Sequence, residues 1–249
     1  MATTRGRFLG LPLDRLTMTE SIRACEEAIA RRGEVHSDLN AANVLLALDD
    51  ADMRTAIETS EIVNADGQSV LWATRFLGVP VPERVSGIDL MLQLVEKASE
   101  KNYTVYLLGA SPKVNAKVRE IFQVRGVHVV GARDGYWSTA EEAAVVSDIA
   151  DSTPDLLFLA MPSPKKEAFV LAHRAQLNTG LAFGVGGSFD VVAGLTKRAP
   201  RILQKLGLEW FFRMVQEPRR LLKRYLVGNV RFTWIVVKSR FSRRAARSS

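Results

Sequence analysis

Asp66 is the side chain whose type and position in this sequence best suit a general base. It stands in the run IVNADG of residues 62–67, where two β-branched residues lead into a polar segment that ends in Asp and Gly. Such a run is typical of a buried strand that stops, and α/β proteins carry binding and catalytic groups on the loops beyond strand ends. A second interpretation stays open, in which Asn64, Asp66 and Gly67 only form a turn and cap the next helix.

A glycine-rich run further along the chain indicates a ligand-binding loop. Residues 184–190 read GVGGSFD, so a predicted strand ends in glycines, among them Gly187, which let a ligand approach the backbone closely. Asp190 follows in the same run, and Arg198 comes soon after it. An acid that accepts hydrogen bonds from hydroxyls would then stand near basic groups that hold phosphates. The alternative is that Asp190 caps a helix and that Arg198 is solvated.

Two other predicted strand ends carry weaker signals. Gly109 lies between a strand and a helix, whose N-terminus would suit a phosphate; the alternative is a plain turn with Ser111 as the helix cap. The run PSPKKE of residues 162–167 also follows a strand. Lys165 and Lys166 would lie near the positive end of the next helix, where an anionic ligand would stabilise them. The alternative is that both lysines point to water.

The sequence shows no arrangement typical of a metal site or a bound cofactor. Residues 49–52 contain a literal D-x-D, the pattern that many sugar transferases use for a divalent metal. It falls between two helical segments and does not follow a strand, so we predict that it only ends one helix and caps the next. The three histidines have no metal-ligand spacing, and the dinucleotide and P-loop fingerprints are absent. We therefore predict neither a metal nor a cofactor.

The elements that must position these residues alternate regularly. Runs such as VYLLG and DLLFLA are continuously apolar, as in a parallel sheet covered on both faces, and the helices between them are long enough to be right-handed crossovers. We predict a Rossmann-like α/β sandwich with a mainly parallel sheet. The predicted strands cover residues 35–40, 62–63, 103–108, 127–131, 156–160 and 181–185, and the predicted helices cover residues 18–32, 41–48, 52–59, 68–77, 86–101, 112–123, 140–151 and 165–176.

The charge of the chain is divided unevenly along its length. The net charge is +7, but residues 197–249 carry 15 Lys and Arg and two acids, a net of +13, which leaves −6 for residues 1–196. Residues 218–249 hold ten basic residues and no acid, with aromatic residues interleaved at near-helical spacing. This composition predicts two parts, a Rossmann-like core over residues 1–200 and a basic amphipathic appendage over residues 201–249. The appendage would associate with a polyanionic partner, and its pattern is that of an interfacial helix on an anionic membrane.

The single cysteine indicates a reducing compartment. Cys25 is the only cysteine, so an internal disulfide is excluded, and it lies in a helical pattern that places it in the core. The first residues lack the apolar run of a signal peptide, and no segment is apolar and long enough to span a membrane. We expect a cytoplasmic protein that associates peripherally with a membrane through its C-terminal tail.

Ten short motifs, in order and with consistent spacing, resemble the WecG/TagA/CpsF family of bacterial glycosyltransferases. The likeness extends over almost the whole chain, from about residue 13 to about residue 241. No single motif is decisive, but the ordered series is specific. The motifs are Asn40, NADG (64–67), RVSGIDL (84–90), VYLLG (105–109), GY (135–136), PK with Glu167 (164–167), GGSFD (186–190), RAP (198–200), GLEW (207–210) and EPRR (217–220).

The resemblance implies a reaction and two substrates. Enzymes of this family move a sugar from a UDP-sugar to a polyprenyl-diphosphate-linked sugar on the inner face of the membrane. They build teichoic acids, enterobacterial common antigen and exopolysaccharides, invert the anomeric centre, and are thought to need no metal. In the family the C-terminal appendage helps to close the site and meets the membrane. The resemblance leaves a homo-oligomer open and implies no nucleic acid partner.

The resemblance also implies roles for particular residues. The proposed base of the family corresponds to Asp66, and its uridine diphosphate pocket draws on the residues that match Asn40 and Asp190. Arg84 is a candidate for diphosphate contact. The other predicted substrate-binding residues are Asp38, Asn64, Gly109, Lys166, Gly187 and Arg198, together with Arg213, Arg219 and Arg220 of the appendage.

Two positions depart from the family pattern. The family usually has Thr where this chain has Asp38, and its P-K-Q-E motif has Gln where this chain has Lys166. Both positions lie near the donor pocket of the family, so an acid and a base there could select a different donor sugar. Lys166 could meet a uronic acid carboxylate, pair with Asp38 or contact phosphate.

Two other classes of protein compete with a glycosyltransferase. One is a Rossmann-like nucleotide- or nucleic-acid-binding protein with a basic arm; the confinement of positive charge to one end argues against it. The other is a nucleotide-dependent oxidoreductase, against which the missing G-x-G-x-x-G argues.

Overall fold

A six-stranded parallel sheet forms the centre of the molecule, in a computed structural model that describes residues 5–205, 207–216 and 218–245. The strands are β3 (Glu34–Leu39), β4 (Ile62–Ala65), β5 (Thr104–Gly109), β6 (His128–Arg133), β7 (Leu156–Ala160) and β8 (Leu181–Gly184). Their order across the sheet is β4-β3-β8-β7-β5-β6. The predicted mainly parallel α/β sandwich is confirmed.

Helices cover both faces of the sheet. Successive residues of each strand point to opposite faces, so both sets of side chains are buried under helices. The helices up to residue 192 are α1 (Met18–Arg31), α2 (Ala41–Asp49), α3 (Ala51–Glu58), α4 (Gln68–Phe76), α5 (Gly87–Lys101), α6 (Pro112–Val124), α7 (Glu142–Ser152, after a 3₁₀ turn at Thr139–Glu141), α8 (Lys165–His173) and α9 (Ser188–Val192). In β7, Phe158 faces a cluster formed with α1, α5 and α6, whereas Leu157 and Leu159 face a cluster formed with α7 and α8. This arrangement explains why the strand sequences are continuously apolar.

An N-terminal β-hairpin, absent from the sequence prediction, lies against the edge of the sheet. Strands β1 (Arg5–Phe8) and β2 (Leu11–Asp14) are antiparallel, and both residues of the turn, Leu9 and Gly10, have positive φ. The buried Asp14 carboxylate accepts a hydrogen bond of 2.7 Å from the backbone N–H of Val63 in β4. The hairpin is thereby joined to the strand that leads to Asp66.

Three helices follow the last strand: α10 (Arg201–Lys205), α11 (Glu209–Gln216) and α12 (Pro218–Ala245). From α12, Phe232 and Val236 are buried in the same apolar cluster as Phe8 of the hairpin. Arg231 of α12 also forms an ion pair with Asp49 at the end of α2, with N–O distances of 2.5 and 2.6 Å. The last helix therefore packs on the first elements of the chain, and the division at residue 200 stays a prediction.

The D-x-D run has the structural role that its position between helices indicates. The Asp50 carboxylate caps α3 by accepting from the Met53 backbone N–H at 2.8 Å. Asp49 ends α2 and pairs with Arg231. The prediction that these acids end one helix and cap the next is confirmed.

Candidate active site

Polar residues from β3 and β4 meet at the carboxyl edge of the sheet. The two strands are parallel neighbours in which Asp38 pairs with Asn64, so the residues that follow each strand lie at the same edge. Asn40 caps α2 through a 3.0 Å hydrogen bond from the Asn43 backbone N–H. The loop after β4 contacts it, since a Cβ on Gly67 would lie 3.5 Å from the Asn40 Cβ.

Asp66 follows β4 directly and is half-buried at this edge. Burial raises the pKa of Asp66 to about 7, and the nearby Asp38 carboxylate adds to the rise, as does Glu209. Arg84 opposes the rise, and so does the backbone N–H of Gly87 at the start of α5, which donates to the Asp66 carboxylate. A carboxylate with a pKa near neutrality can accept a proton in the ordinary working range of an enzyme, as a general base must.

Two arginines lie near Asp66, and each pairs with a carboxylate. The Arg84 guanidinium lies 3.3 Å from Glu209, the first residue of α11. Arg198 lies 2.6 Å from Asp89 in the first turn of α5, and its Nε finds no partner among the described residues. The alternative interpretation of Arg198 as a merely solvated side chain is therefore wrong.

Asp38 is held more firmly than Asp66. Its carboxylate accepts from the side-chain amides of Asn40 at 3.3 Å and Asn43 at 3.4 Å, and the Asn43 amide also donates to the Asp38 backbone carbonyl at 3.0 Å. Burial raises the pKa of Asp38, whereas Lys166 opposes the rise and Glu167 adds to it. Asn43 is not among the residues predicted from sequence, and the signal for it is an amide three residues after the helix cap.

Lys166 is buried, so the alternative that it points to water is wrong. Its ammonium donates to Glu167 and to Ser163, and Ser163 also donates to Glu167 at 2.8 Å. The stem of Lys166 crosses Gly184 so closely that a Cβ there would lie 2.4 Å from the Lys166 Cε. The ammonium is therefore bound by its own neighbours and lies close enough to Asp38 to affect its charge. Lys165 is exposed at its head but donates to the Gly135 carbonyl at 3.0 Å.

A small cavity of about 40 Å³ lies beside this cluster, between α3 and α8. Its walls include Ser37, Lys166, Glu167 and Arg174 but not Asp66. One oxygen of Glu167, Oε2, is buried and finds no partner among the described residues. The cavity is lined by the lysine cluster and by Asp38, and Asp66 itself is not part of its wall.

Asn64 does not face the edge where Asp66 lies, which corrects its assignment as a substrate-binding residue. Strand β4 extends to Ala65, beyond the predicted end at residue 63, and buries the Asn64 side chain. Its amide oxygen pairs with His36 at 2.9 Å, and its amide nitrogen donates to Ser21 at 2.9 Å. Burial lowers the pKa of His36 to about 4, so this interior hydrogen-bond chain is uncharged. Asn64 therefore supports β3 and β4 from inside.

Gly109 has a local reason to be glycine. Its φ is +113°, and a Cβ would lie 2.6 Å from the backbone of Ala160 in the neighbouring strand. Ser111 caps α6 by accepting from the Val114 backbone N–H at 3.4 Å. The plain-turn interpretation is confirmed in these features, and a ligand contact at Gly109 stays a prediction.

The glycine-rich loop after β8 emerges beside the loop after β3, because β3 and β8 are paired neighbours. Gly186 has a φ of +50° and no atom within 4 Å of the place where a Cβ would stand, so the backbone is open to approach there. Gly187 precedes α9, and the half-buried Asp190 lies inside that helix. Asp190 is therefore not its cap, which corrects the alternative interpretation.

Three predicted arginines belong to the C-terminal helices. The backbone places Arg213 in α11 and Arg219 and Arg220 at the start of α12. Their side chains lie outside the described residues, so contact with a diphosphate stays a prediction.

Within residues 5–205, 207–216 and 218–245, no group of three or more His, Cys, Asp and Glu side chains is placed to hold a metal ion. In the same part of the chain, no helix combines the length and the apolar character that crossing a bilayer requires.

The strand ends therefore bring together a carboxylate with a raised pKa, two arginines and an open glycine loop, all within one edge of a parallel sheet. The model of the glycosyl transferase WecG/TagA/CpsF family matches residues 6–246, nearly the whole chain. That match covers every strand and helix around this edge, including α11, which supplies Glu209. The chain belongs to the WecG/TagA/CpsF family, and it is a glycosyltransferase of cell-surface polysaccharide synthesis.

Proposed function

We propose that this glycosyltransferase moves a sugar from a UDP-sugar to a polyprenyl-diphosphate-linked sugar, with inversion at the anomeric carbon and without a metal. The family supplies the class of reaction. The two substrates and the stereochemistry come from the resemblance of the ten motifs. The observation that best supports this proposal is Asp66, a half-buried carboxylate at a strand end with a pKa of about 7.

The proposed step is a direct displacement. An acceptor hydroxyl attacks the anomeric carbon, its proton passes to the Asp66 carboxylate, and the bond from the anomeric carbon to the UDP oxygen breaks. A positioned base of this kind gives typically about 10²–10⁴-fold in rate. The pKa of Asp66 lets the carboxylate be ionised before the step while still binding the proton that the step releases.

The leaving diphosphate gains negative charge, which positive groups must stabilise. Arg84 and Arg198 are close enough to Asp66 to interact with its charge. Arg213, Arg219 and Arg220 would add to them if α11 and α12 turn their side chains toward the cleft. Asn40 and Asp190 would bind the uridine, and the pairing of β3 with β8 supports this because it brings their loops to one edge.

We also propose that α12 lies on the anionic inner face of the cell membrane. Five apolar residues of α12 are exposed at spacings of three and four, so they form one stripe: Val227, Val230, Trp234, Val237 and Phe241. The stripe lies on a helix without a single acid, and Lys238 stands over the Trp234 ring at 4.9 Å. An exposed apolar stripe with flanking cations is the pattern of an interfacial helix.

The test of the reaction is a transfer assay with a panel of radiolabelled UDP-sugars and a short-chain lipid-diphosphate sugar acceptor. We expect label in the lipid product with at least one donor. A thermal-shift series provides the control, because UDP should raise Tm while NAD and duplex DNA should not. A ligand at 100 times its Kd stabilises by about 2.7 kcal/mol. A rise in Tm with DNA alone, and no transfer from any donor, would support the nucleic-acid-binding alternative instead.

The test of the membrane proposal uses two substitutions that add the same charge one residue apart. Trp234→Glu places a carboxylate in the exposed stripe, whereas Thr233→Glu places it on an exposed position outside the stripe. We expect the first to release the protein from vesicles that contain anionic lipid and the second to leave binding nearly unchanged. Equal sedimentation of both variants with these vesicles would show that the stripe is not the binding surface.

A further inference from the structure

The C-terminal helices reach the surroundings of Asp66 through one carboxylate. Glu209 begins α11 and pairs with Arg84 at 3.3 Å; the two side chains are 13% and 17% exposed. Just before it, Gly207 packs on α4, since a Cβ there would lie 2.4 Å from the Gln68 side chain. Gln68 is the first residue of α4, two residues after Asp66. The start of α11 is therefore seated against the same loop that carries the base.

The charged groups that face Asp66 come from several elements. Asp38 at the end of β3 and Glu209 of α11 are acidic, whereas Arg84 before α5 and Arg198 before α10 are basic. Both arginines already hold a carboxylate, Glu209 for Arg84 and Asp89 for Arg198. The attraction of Arg84 for an ionised Asp66 is therefore offset by the carboxylate that binds this arginine.

We propose that Glu209 is a positioning residue for the transfer reaction: from α11 it fixes the Arg84 guanidinium beside Asp66 and makes the charge of the base depend on the seating of the C-terminal helices. This inference rests on the proposed function, in which Asp66 is the base. Glu209 neither gains nor loses a proton in the step. It acts through Arg84 and through its own negative charge.

The seating of α11 then has two linked effects. With Glu209 in place, Arg84 is held in one orientation, and Asp66 binds its proton more tightly, so it is the stronger base once ionised. Without Glu209, Arg84 would turn its full charge to Asp66 and lower its proton affinity, because an opposite charge within a few ångströms favours the ionised carboxylate. A helix that is far from the sheet in sequence would thereby control the chemistry at the sheet edge.

The test compares Glu209→Gln with Asp49→Asn in the full-length protein. Each variant removes the carboxylate of one ion pair that joins the C-terminal helices to the rest of the molecule. The pair of Asp49 with Arg231 lies at the far end of α2. Two quantities are measured: the midpoint of the Asp66 carboxyl titration by ¹³C NMR, and the pH dependence of kcat/KM with a UDP-sugar.

We expect Glu209→Gln to lower the Asp66 midpoint by about half a pH unit or more and to move the acid limb of the rate profile by the same amount. Asp49→Asn should leave both at the wild-type value, and Glu209→Asp, which keeps the charge, should stay near it. An unchanged midpoint in Glu209→Gln overturns the proposal. An equal shift in Glu209→Gln and Asp49→Asn also overturns it. The loosening of the C-terminal helices would then be enough to explain the change in the Asp66 midpoint. If Glu209→Gln does not fold, Glu209→Ala removes the same charge and serves in its place.

The failure of this inference can be told from the failure of the proposed function. Near-normal transfer by Asp66→Asn would remove Asp66 from the reaction and with it the proposed function. An inactive Asp66→Asn together with a wild-type titration in Glu209→Gln would leave the reaction in place and remove only the part assigned to Glu209.

Discussion

Two carboxylates end neighbouring parallel strands, Asp38 on β3 and Asp66 on β4, and their surroundings differ in kind. Asp38 accepts from two side-chain amides and lies beside the buried Lys166. Asp66 has one backbone N–H, from Gly87, and faces arginines that are paired elsewhere. The comparison teaches that the backbone position at a strand end does not decide the role of a carboxylate. Burial raises the pKa of both carboxylates, so the contacts around each one distinguish them. Asp38 is bound by two side-chain amides, whereas Asp66 keeps one backbone N–H donor.

The largest effect that tests this comparison is the loss of the base. Asp66→Asn should keep the fold and UDP affinity but lower the transfer rate by about 10²–10⁴-fold, because a neutral amide cannot accept the proton. Steady-state transfer assays and UDP titration measure both quantities. The matched variant is Asp38→Asn, which should lose less activity. If Asp38→Asn were the inactive variant and Asp66→Asn the active one, the two roles would be reversed.

The second effect concerns the stability of the lysine cluster. Lys166→Gln leaves the buried Glu167 carboxylate without its cation, and breaking a buried pair in this way lowers the free energy of unfolding by about 3–5 kcal/mol. Urea denaturation measures this change. Lys165→Gln, one residue earlier and exposed, should alter it little. The double substitution Lys166→Gln with Glu167→Gln should recover most of the loss; no recovery would mean that Lys166 stabilises through its stem over Gly184 and not through its charge.

The third effect is on pH dependence. Because Asp66 must be ionised to act, kcat/KM should rise with pH up to about 7 and then level off. The same shift affects stability: burial makes the folded protein hold this proton more tightly than the unfolded chain, so stability is lost as the pH rises toward 7. Asp66→Asn should therefore have a higher Tm than the wild type at pH 8, and the difference should vanish near pH 3. A constant difference across this range would contradict the raised pKa.

The smallest expected effect tests the hydrogen bonds by which Asn43 supports Asp38. Asn43→Ala removes the amide that donates to both the carboxylate and the backbone carbonyl of Asp38. We expect a loss of about 1–3 kcal/mol in the free energy of unfolding, the usual range for a buried acceptor that loses its donor. Asn43 acts on Asp66 only through Asp38, so the pH profile of transfer should move less than in Glu209→Gln. An acid limb displaced as far as that of Glu209→Gln would show that the two carboxylates are more strongly coupled than the geometry indicates.

The sheet and the location of Asp66 could be predicted from sequence because both depend on local patterns. Apolar runs identify the strands, and the order of strand and loop places a residue such as Asp66 at the carboxyl edge. The hairpin was missed since its strands have four residues each and its turn is Leu9-Gly10, which lacks the usual Asn or Asp signal. The sequence pattern places Asn64 in the loop because a polar side chain ordinarily ends a buried strand.

The remaining features depend on contacts between distant parts of the chain. A lysine side chain is ordinarily expected to be solvated. The burial of Lys166 depends on the free space over Gly184 and on the Glu167 carboxylate, which pairs with its ammonium. The pair of Arg84 with Glu209 joins residues 125 positions apart. Periodicity and spacing describe one element at a time, so neither contact could be predicted from them.

The cluster that Phe8 shares with Phe232, their rings 6.3 Å apart, has a consequence for the synthesis of the chain. A ribosome delivers Phe8 more than two hundred residues before Phe232. Throughout that interval the apolar cluster of the hairpin and α2 lacks Phe232 and Val236, and a nascent chain exposes apolar surface of the kind that chaperones bind. A message interrupted before Phe232 would therefore yield an aggregation-prone product, although it would encode every strand of the sheet.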